Sequence, residues 1–266
     1  MINAVMHLLS WGLVIVLVWG HLGAAPAQQK SEFRGVAELG QGTYLVASGA
    51  ANQFGLLKYD DAGLGFRAIR IDDWEGYLAG QLIGLCAVKG YDGEVVAAIA
   101  QPDGQSALVH IQVRNWSKTP RSAILGRALL PQSLALTAFS CGEASQTTMA
   151  VSLFSHEQNL SADYVFEGYK LANLKPIDSY PTLLERDLSG AYEDARGRWL
   201  AVADAGGPGT VIWSLPFDAE AYPAFRLDGF NVTGIAVGPK GYDISVVTSE
   251  PGLGSVWRPL GAALAQ

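Results

Sequence analysis

Residues able to do chemistry are sparse in this sequence, and oxygen donors dominate those that exist. Asp187, Asp204, Asn231 and Glu250 carry carboxylate or amide oxygens close to the ends of apolar runs. A hard cation such as calcium takes six to eight oxygens, usually several of them from carboxylates, so these residues would supply part of a Ca2+ site if the fold brought them together. Otherwise they are solvated loop residues or turn formers. Arg34 joins them as a candidate for contact with a ligand. The acidic group Asp72-Asp73-Trp74-Glu75 reads either as a cation-binding loop or as a solvated loop pinned by its Trp. Beyond residue 27 the histidines are His110 and His156, and they fall in different parts of the chain. His110 sits among alternating apolar residues, the pattern of a sheet residue rather than of a general base. No HExxH, CxxC or nucleophile-elbow motif is present.

The elements that must position these residues come from an internal repeat. Five segments share one outline: an x-Gly-apolar-Ala/Cys opening, a short turn, then a β-branched or apolar run. The openings begin at Arg34, Ile83, Thr137 (a weaker copy), Ser189 and Thr233. Turns such as Tyr91-Asp92-Gly93 and Pro239-Lys240-Gly241 lead into runs such as Val95–Ile99. Anchored on Gly35, Gly84, Ala138, Gly190 and Gly234, the intervals are 49, 54, 52 and 44 residues. That is the length of a four-stranded propeller blade. Third runs follow at Gly55–Tyr59, Ala107–Val113, Tyr164–Tyr169, Thr210–Trp213 and Ser255–Trp257. The expected fold is therefore all-β, a β-propeller of about five four-stranded blades, with an irregular β-sandwich as the alternative. Helix is confined to a turn around Ala219–Tyr222. The last repeat stops early, and residues 29–33 are expected to supply its outer strand.

Residues 1–27 read as a signal peptide: an apolar run from Leu8 to Val18, then Ala25-Pro26-Ala27, then polar residues from Gln28. The segment before the run lacks Lys and Arg, and an uncleaved anchor is the competing reading. Residues 28–266 would then form a single propeller domain, periplasmic or secreted, with no membrane contact after cleavage. The 18 basic and 25 acidic residues give a net charge of -7. No basic stripe is evident, which argues against nucleic acid as a partner. In an oxidising compartment Cys86 and Cys141 pair as a disulfide or remain two buried thiols. Their offsets from the anchors place both near the inner strands of adjacent blades.

In a propeller, the start of each inner strand and the end of the second strand share one face, which makes that rim the place to look for a site. Here the sequence resembles a known group. The stretches R-G-V-A-E-L-G-Q-G-T-Y-L-V-A-S, R-G-R-W-L-A-V-A-D and V-T-G-I-A-V-G-P-K-G-Y-D, with the ending S-E-P-G-L-G-S-V-W-R-P-L, are similar to exported phytase-like esterases and the related SdiA-regulated propellers. The resemblance spans most of residues 28–266 and rests on repeat texture. It implies acidic rim residues holding a divalent metal, often just before the strand-opening Gly. Arg34, Ile83, Ser189 and Thr233 fill those slots instead. Asp204 matches the acid that closes a second strand in that group, and Glu250 occupies a similar place. Two functions follow. One is a non-catalytic module binding a protein or small-molecule ligand on its rim. The other is a calcium-dependent hydrolase of phosphate or lactone esters, its metal held by Asp204 and Glu250.

Overall fold

The computed structural model describes residues 33–40, 42–48, 53–60, 63–77, 79–155, 158–177, 188–237, 244–250 and 254–261. Residues 1–27, read from the sequence as a signal peptide, lie outside them, as do Asp187, His156 and the turn at Pro239-Lys240-Gly241. Nineteen strands in these residues form five antiparallel sheets. Blade 1 holds β1 (Phe33–Gly40), β2 (Thr43–Ser48), β3 (Phe54–Asp60) and β4 (Gly63–Ile69). Blade 2 holds β5 (Gln81–Ala87), β6 (Glu94–Ala100), β7 (Ser106–Arg114) and β8 (Arg121–Leu129). In blade 3 the strands are β9 (Ala138–Ala144), β10 (Thr148–Phe154), β11 (Asn159–Val165) and β12 (Lys170–Pro176). Blade 4 comprises β13 (Leu188–Asp194), β14 (Gly197–Ala203), β15 (Gly209–Pro216) and β16 (Tyr222–Asp228). Blade 5 has three strands among the described residues: β17 (Asn231–Val237), β18 (Ile244–Glu250) and β19 (Gly254–Gly261).

The inner strands pack in a closed cycle: β1 on β5, β5 on β9, β9 on β13, β13 on β17, and β17 back on β1. The molecule is a five-bladed β-propeller. Its apolar interior is divided accordingly, with one buried cluster in each seam. Leu45, Leu82 and Val109 belong to the cluster between blades 1 and 2, and Val96, Phe139 and Met149 to the next. Ala138 and Leu200, Trp199 and Val232, and Tyr44 and Val247 mark the remaining three. No single blade buries both of its faces, so each draws its stability from its neighbours. The closing seam is aromatic: Tyr44 of blade 1 meets Trp257 of blade 5 at a centroid distance of 4.8 Å. Phe33 N also donates to Ser255 Oγ across it, at 2.8 Å.

Three local expectations differ from the structure. Phe33 opens β1 opposite Ser48 and is not an outer strand of blade 5; residues 29–32 lie outside the described ones. Tyr164–Tyr169 is not one strand but the end of β11 and a tight turn, where Gly168 and Tyr169 both adopt positive φ (79° and 44°). Tyr222 opens β16, and the helical turn lies instead at Trp74–Tyr77, a 3-10 turn. There Trp74 is buried edge-on against Phe54 at 4.8 Å, which releases the apolar residue inward while Asp72, Asp73 and Glu75 stay exposed. Among the described residues no helix is long and apolar enough to cross a membrane.

Candidate functional site

The same irregularity recurs in four of the five inner strands. Pairing slips by one residue between Phe33 and Gly35, Leu82 and Gly84, Leu188 and Gly190, and Val232 and Gly234. A β-bulge leaves one residue unpaired and redirects its side chain. The displaced residues are Arg34, Ile83, Ser189 and Thr233. In blade 3, Thr137 precedes the strand and reaches the same level by bonding Phe154 O through its backbone N–H at 2.8 Å. All five line one cavity of about 450 Å3 at the end of the channel where the inner strands begin, the upper end. Asn231 and Thr210 complete its polar wall.

Crowding explains the glycine after the bulge in only some blades. A Cβ on Gly35 would lie 2.8 Å from Leu85 Cγ, and one on Gly234 3.1 Å from Val36 Cγ1. At Gly84 and Gly190 the nearest atoms stand 3.6 Å away, an ordinary contact. The bulge, common to all four, is the more general reason for glycine there.

The upper mouth has a definite polarity of hydrogen bonding. Thr137 Oγ1 donates to Phe154 O at 3.2 Å, and Thr210 Oγ1 donates to Phe230 O at 3.0 Å. Thr233 Oγ1 donates to the carbonyl of Phe33 or Val247. Each threonine has thus spent its one hydrogen on backbone and offers the cavity only lone pairs. Donors come from Arg34, Asn231 and the Ser189 hydroxyl. Arg34 is exposed and has no ion-pair partner among the described residues. It is the cation among the residues that line this cavity.

The other rim candidates stand apart from it. Asp204 follows β14, with its side chain only 9% exposed; Arg226 Nη2 lies 2.7 Å from Oδ2 and 2.8 Å from Oδ1. Gly206 N donates to Oδ1 as well, at 2.9 Å. A carboxylate so neutralised does not suit a hard cation, which would have to displace the guanidinium. Glu250 ends β18 opposite Gly254, and its side chain, like Asp187, lies outside the described structure. Among the described residues no three His, Cys, Asp or Glu side chains gather to hold a metal. His110 is 2% exposed in the seam between blades 2 and 3, with Nε2 2.9 Å from Glu94 Oε2 and no partner for Nδ1. Burial holds its pKa below the ordinary imidazole value, against the opposing pull of Glu94. It faces Tyr164, Phe166 and Tyr169 rather than a cleft.

A second, smaller cavity of about 100 Å3 occupies the lower end of the channel. Cys86 and Cys141 line it, joined as a disulfide between the inner strands of blades 2 and 3 with Cα atoms 5.8 Å apart. Glu38, Tyr192 and Glu193 line it too. Glu193 Oε2 accepts from Arg198 Nε at 2.9 Å and from Ser152 Oγ at 3.2 Å. Burial, with Asp92 nearby, raises the pKa of Glu38. Burial likewise pushes the Tyr192 hydroxyl well above its usual range, helped by Asp194 and Glu38. Sequence reasoning passed over these residues. Their signal was a shared offset: Glu38 and Glu193 each stand four positions after the bulged residue of their strand.

Fold and mouth together define a five-bladed propeller with a ligand-sized opening on its axis. No protein-family model matches the chain, and no curated protein matches its sequence. Among solved structures it is similar to the soluble aldose sugar dehydrogenase of Escherichia coli in its apo-form (TM-score 0.53, 11% identity, covering 87% of this chain and 97% of that one). It is also similar to a bifunctional GH43-CE protein of Bacteroides eggerthii (TM-score 0.57, 11% identity, 87% of this chain), spanning 33% of that chain's length. The calcium-binding protein regucalcin of Agrobacterium tumefaciens gives a TM-score of 0.47 at 12% identity, over 88% of this chain and 91% of the other. At such identities likeness bears on the fold alone.

Proposed function

We propose that the chain is an exported propeller that acts as a non-catalytic binding module, holding a small oxyanion at its upper mouth. One observation carries this reading: bulges in four blades, with Thr137 from blade 3, turn their residues into a single cavity whose lining cation is Arg34, which has no ion-pair partner among the described residues. A guanidinium binds carboxylate or phosphate through charge-assisted, often bidentate, hydrogen bonds. The threonine oxygens accept, so the ligand must bring hydroxyl or amino donors of its own. At about 450 Å3 the cavity falls within the range of small-molecule sites. Among the described residues its lining holds no carboxylate, imidazole or thiol to move a proton or attack a substrate. The hydrolase alternative asks for a cation at Asp204, whose oxygens are spent on Arg226 and Gly206. The disulfide supports an oxidising, periplasmic or secreted setting, and the leader over residues 1–27 would provide the route.

Calorimetry and melting curves with L-lactate, L-glutamate and glycerol 3-phosphate, against glycerol as an uncharged control, test the reading. At least one charged member should bind and raise Tm. Arg34→Ala should weaken that binding roughly 10- to 100-fold, the worth of a hydrogen-bonded charge, while leaving the Tm of the free protein in place. Binding of glycerol with equal strength, or unchanged binding by Arg34→Ala, would overturn it. Turnover of phosphate or lactone esters that Asp204→Asn abolishes would establish the hydrolase instead.

A further inference from the structure

A second concave surface lies far from the channel, on the outside of the seam between blades 1 and 2. It is a shallow groove of about 430 Å3. Arg67 and Arg70, at the end of β4, form one wall, while Lys118 and Arg121, where β7 turns into β8, form the other. In a chain of net charge -7, four of the 18 basic side chains meet here. The seam is built rather than incidental. Arg67 donates through Nη1 to Lys118 O at 2.7 Å and through Nη2 to Trp116 O at 3.0 Å. Ser122 Oγ donates to Arg70 O and accepts from Asp72 N, both at 3.0 Å. Carbonyl partners orient the Arg67 guanidinium without cancelling its charge.

The balance of charge favours an anion. Arg70 is paired with Glu75, and Asp72 is the acid in the groove. Arg67, Lys118 and Arg121 have no ion-pair partner among the described residues. Between the walls lie apolar Ala68, Ile69 and Pro120, with the Thr119 hydroxyl beside them.

We propose that this groove binds a carboxylated polysaccharide, a polyuronate chain lying across the seam. Cations on both walls suit a polymer with repeated anions better than one small ion. The apolar strip accepts the C–H faces of sugar rings, and Thr119 meets their hydroxyls. A duplex nucleic acid would meet the remaining negative charge of the molecule over a wider footprint. A bilayer surface is less suited, because peripheral binding usually adds inserted apolar side chains. The large exposed ones among the described residues, Leu129, Leu174 and Phe217, lie outside the groove. An acidic peptide would want a deep pocket for an anchor side chain, and the groove is shallow.

The test is titration of the full-length protein with polygalacturonate at low salt, with dextran as the neutral control. Binding to polygalacturonate alone is expected, weakening steeply as salt rises. The double variant Lys118→Glu/Arg121→Glu changes two exposed side chains and should keep the wild-type Tm while losing affinity by about tenfold or more. Arg34→Ala should bind polygalacturonate as wild type does, so failure at the upper mouth and failure here are read separately. Equal binding of dextran, undiminished binding by the double variant, or stronger binding to phosphatidylglycerol vesicles or duplex DNA would each overturn the assignment.

Discussion

The two ends of the channel are built from the same five strands, and they solve different problems. At the upper end, bulges break the ladders and turn unlike side chains toward the cavity, with Arg34 and Asn231 exposed and Arg34 without an ion-pair partner among the described residues. At the lower end a covalent bond joins two blades, and a third carboxylate-bearing strand is tied to its neighbour through Ser152. Charge follows the same division, for Glu193 is neutralised by Arg198 while Arg34 meets no acid among the described residues. Rings of sheets must resist opening at their seams: the lower end ties blades 2, 3 and 4 through the disulfide and Ser152–Glu193, while Phe33, Thr233 and Ser255 tie the closing seam. The upper end is left free to vary residue by residue, which is how one fold comes to hold different ligands.

The largest blow to this division should come from Cys86→Ala/Cys141→Ala. The bond closes a stretch of 55 residues, and loops of that size correspond to about 4 kcal/mol in the chain-entropy account. Denaturant unfolding of the double variant should show a loss of that order. Where the variant remains folded, affinity at the upper mouth should be unchanged; a parallel collapse of affinity would mean that the two ends are one mechanical unit.

A smaller effect is expected at Gly142. A Cβ there would stand 2.3 Å from Glu193 Oε1 and 3.2 Å from its Cδ. Glu193 can retreat only by giving up Arg198 or Ser152. Gly142→Ala should therefore cost about 1–3 kcal/mol, the usual range for overpacking. Thermal melts of this variant beside Ser189→Ala, which should leave Tm nearly in place, sharpen the contrast between the ends.

How much of this was legible in the sequence depends on what each residue obeys. The x-Gly openings gave away the inner strands because a bulge sets the glycine in four of the five copies, at Arg34-Gly35 as at Thr233-Gly234, and only the Thr137-Ala138 copy, with no bulge at its opening, departs from it. The mouth could be read from them, since the bulged residue and the lining residue are the same. Outer strands left no such trace: β12 is mostly exposed, with no alternation to follow, so Tyr164–Tyr169 read as a strand when it holds a turn. Asp204 read as a free oxygen donor because its partner Arg226 lies 22 residues away, across the hairpin that joins β15 to β16. Nothing local in the sequence records that pairing. The lower cavity was hidden for the opposite reason, its lining differing in kind from blade to blade: Glu38, Cys86, Cys141, Glu193, Ala236.

The finest probe of the comparison is Glu38→Gln, because Glu38 is a lower-end acid with no ion pair among the described residues, although Lys89 lines the same cavity. Its pKa is raised by burial first and by Asp92 second. A carboxyl whose folded pKa is raised holds its proton more tightly in the native state than in the unfolded one. Its contribution is therefore complete below the unfolded value, near 4.5, and is lost as pH rises through the folded value. At neutral pH, keeping or losing the proton of Glu38 costs stability either way, and the neutral amide of Glu38→Gln should raise Tm. The gain should shrink on acidification and vanish below about pH 4.5, where the wild-type side chain is itself neutral. Tm measured for both proteins across that range decides the matter. A constant offset at every pH would trace the effect to packing, and a loss of stability at pH 7 would mean that the lower cavity needs its negative charge.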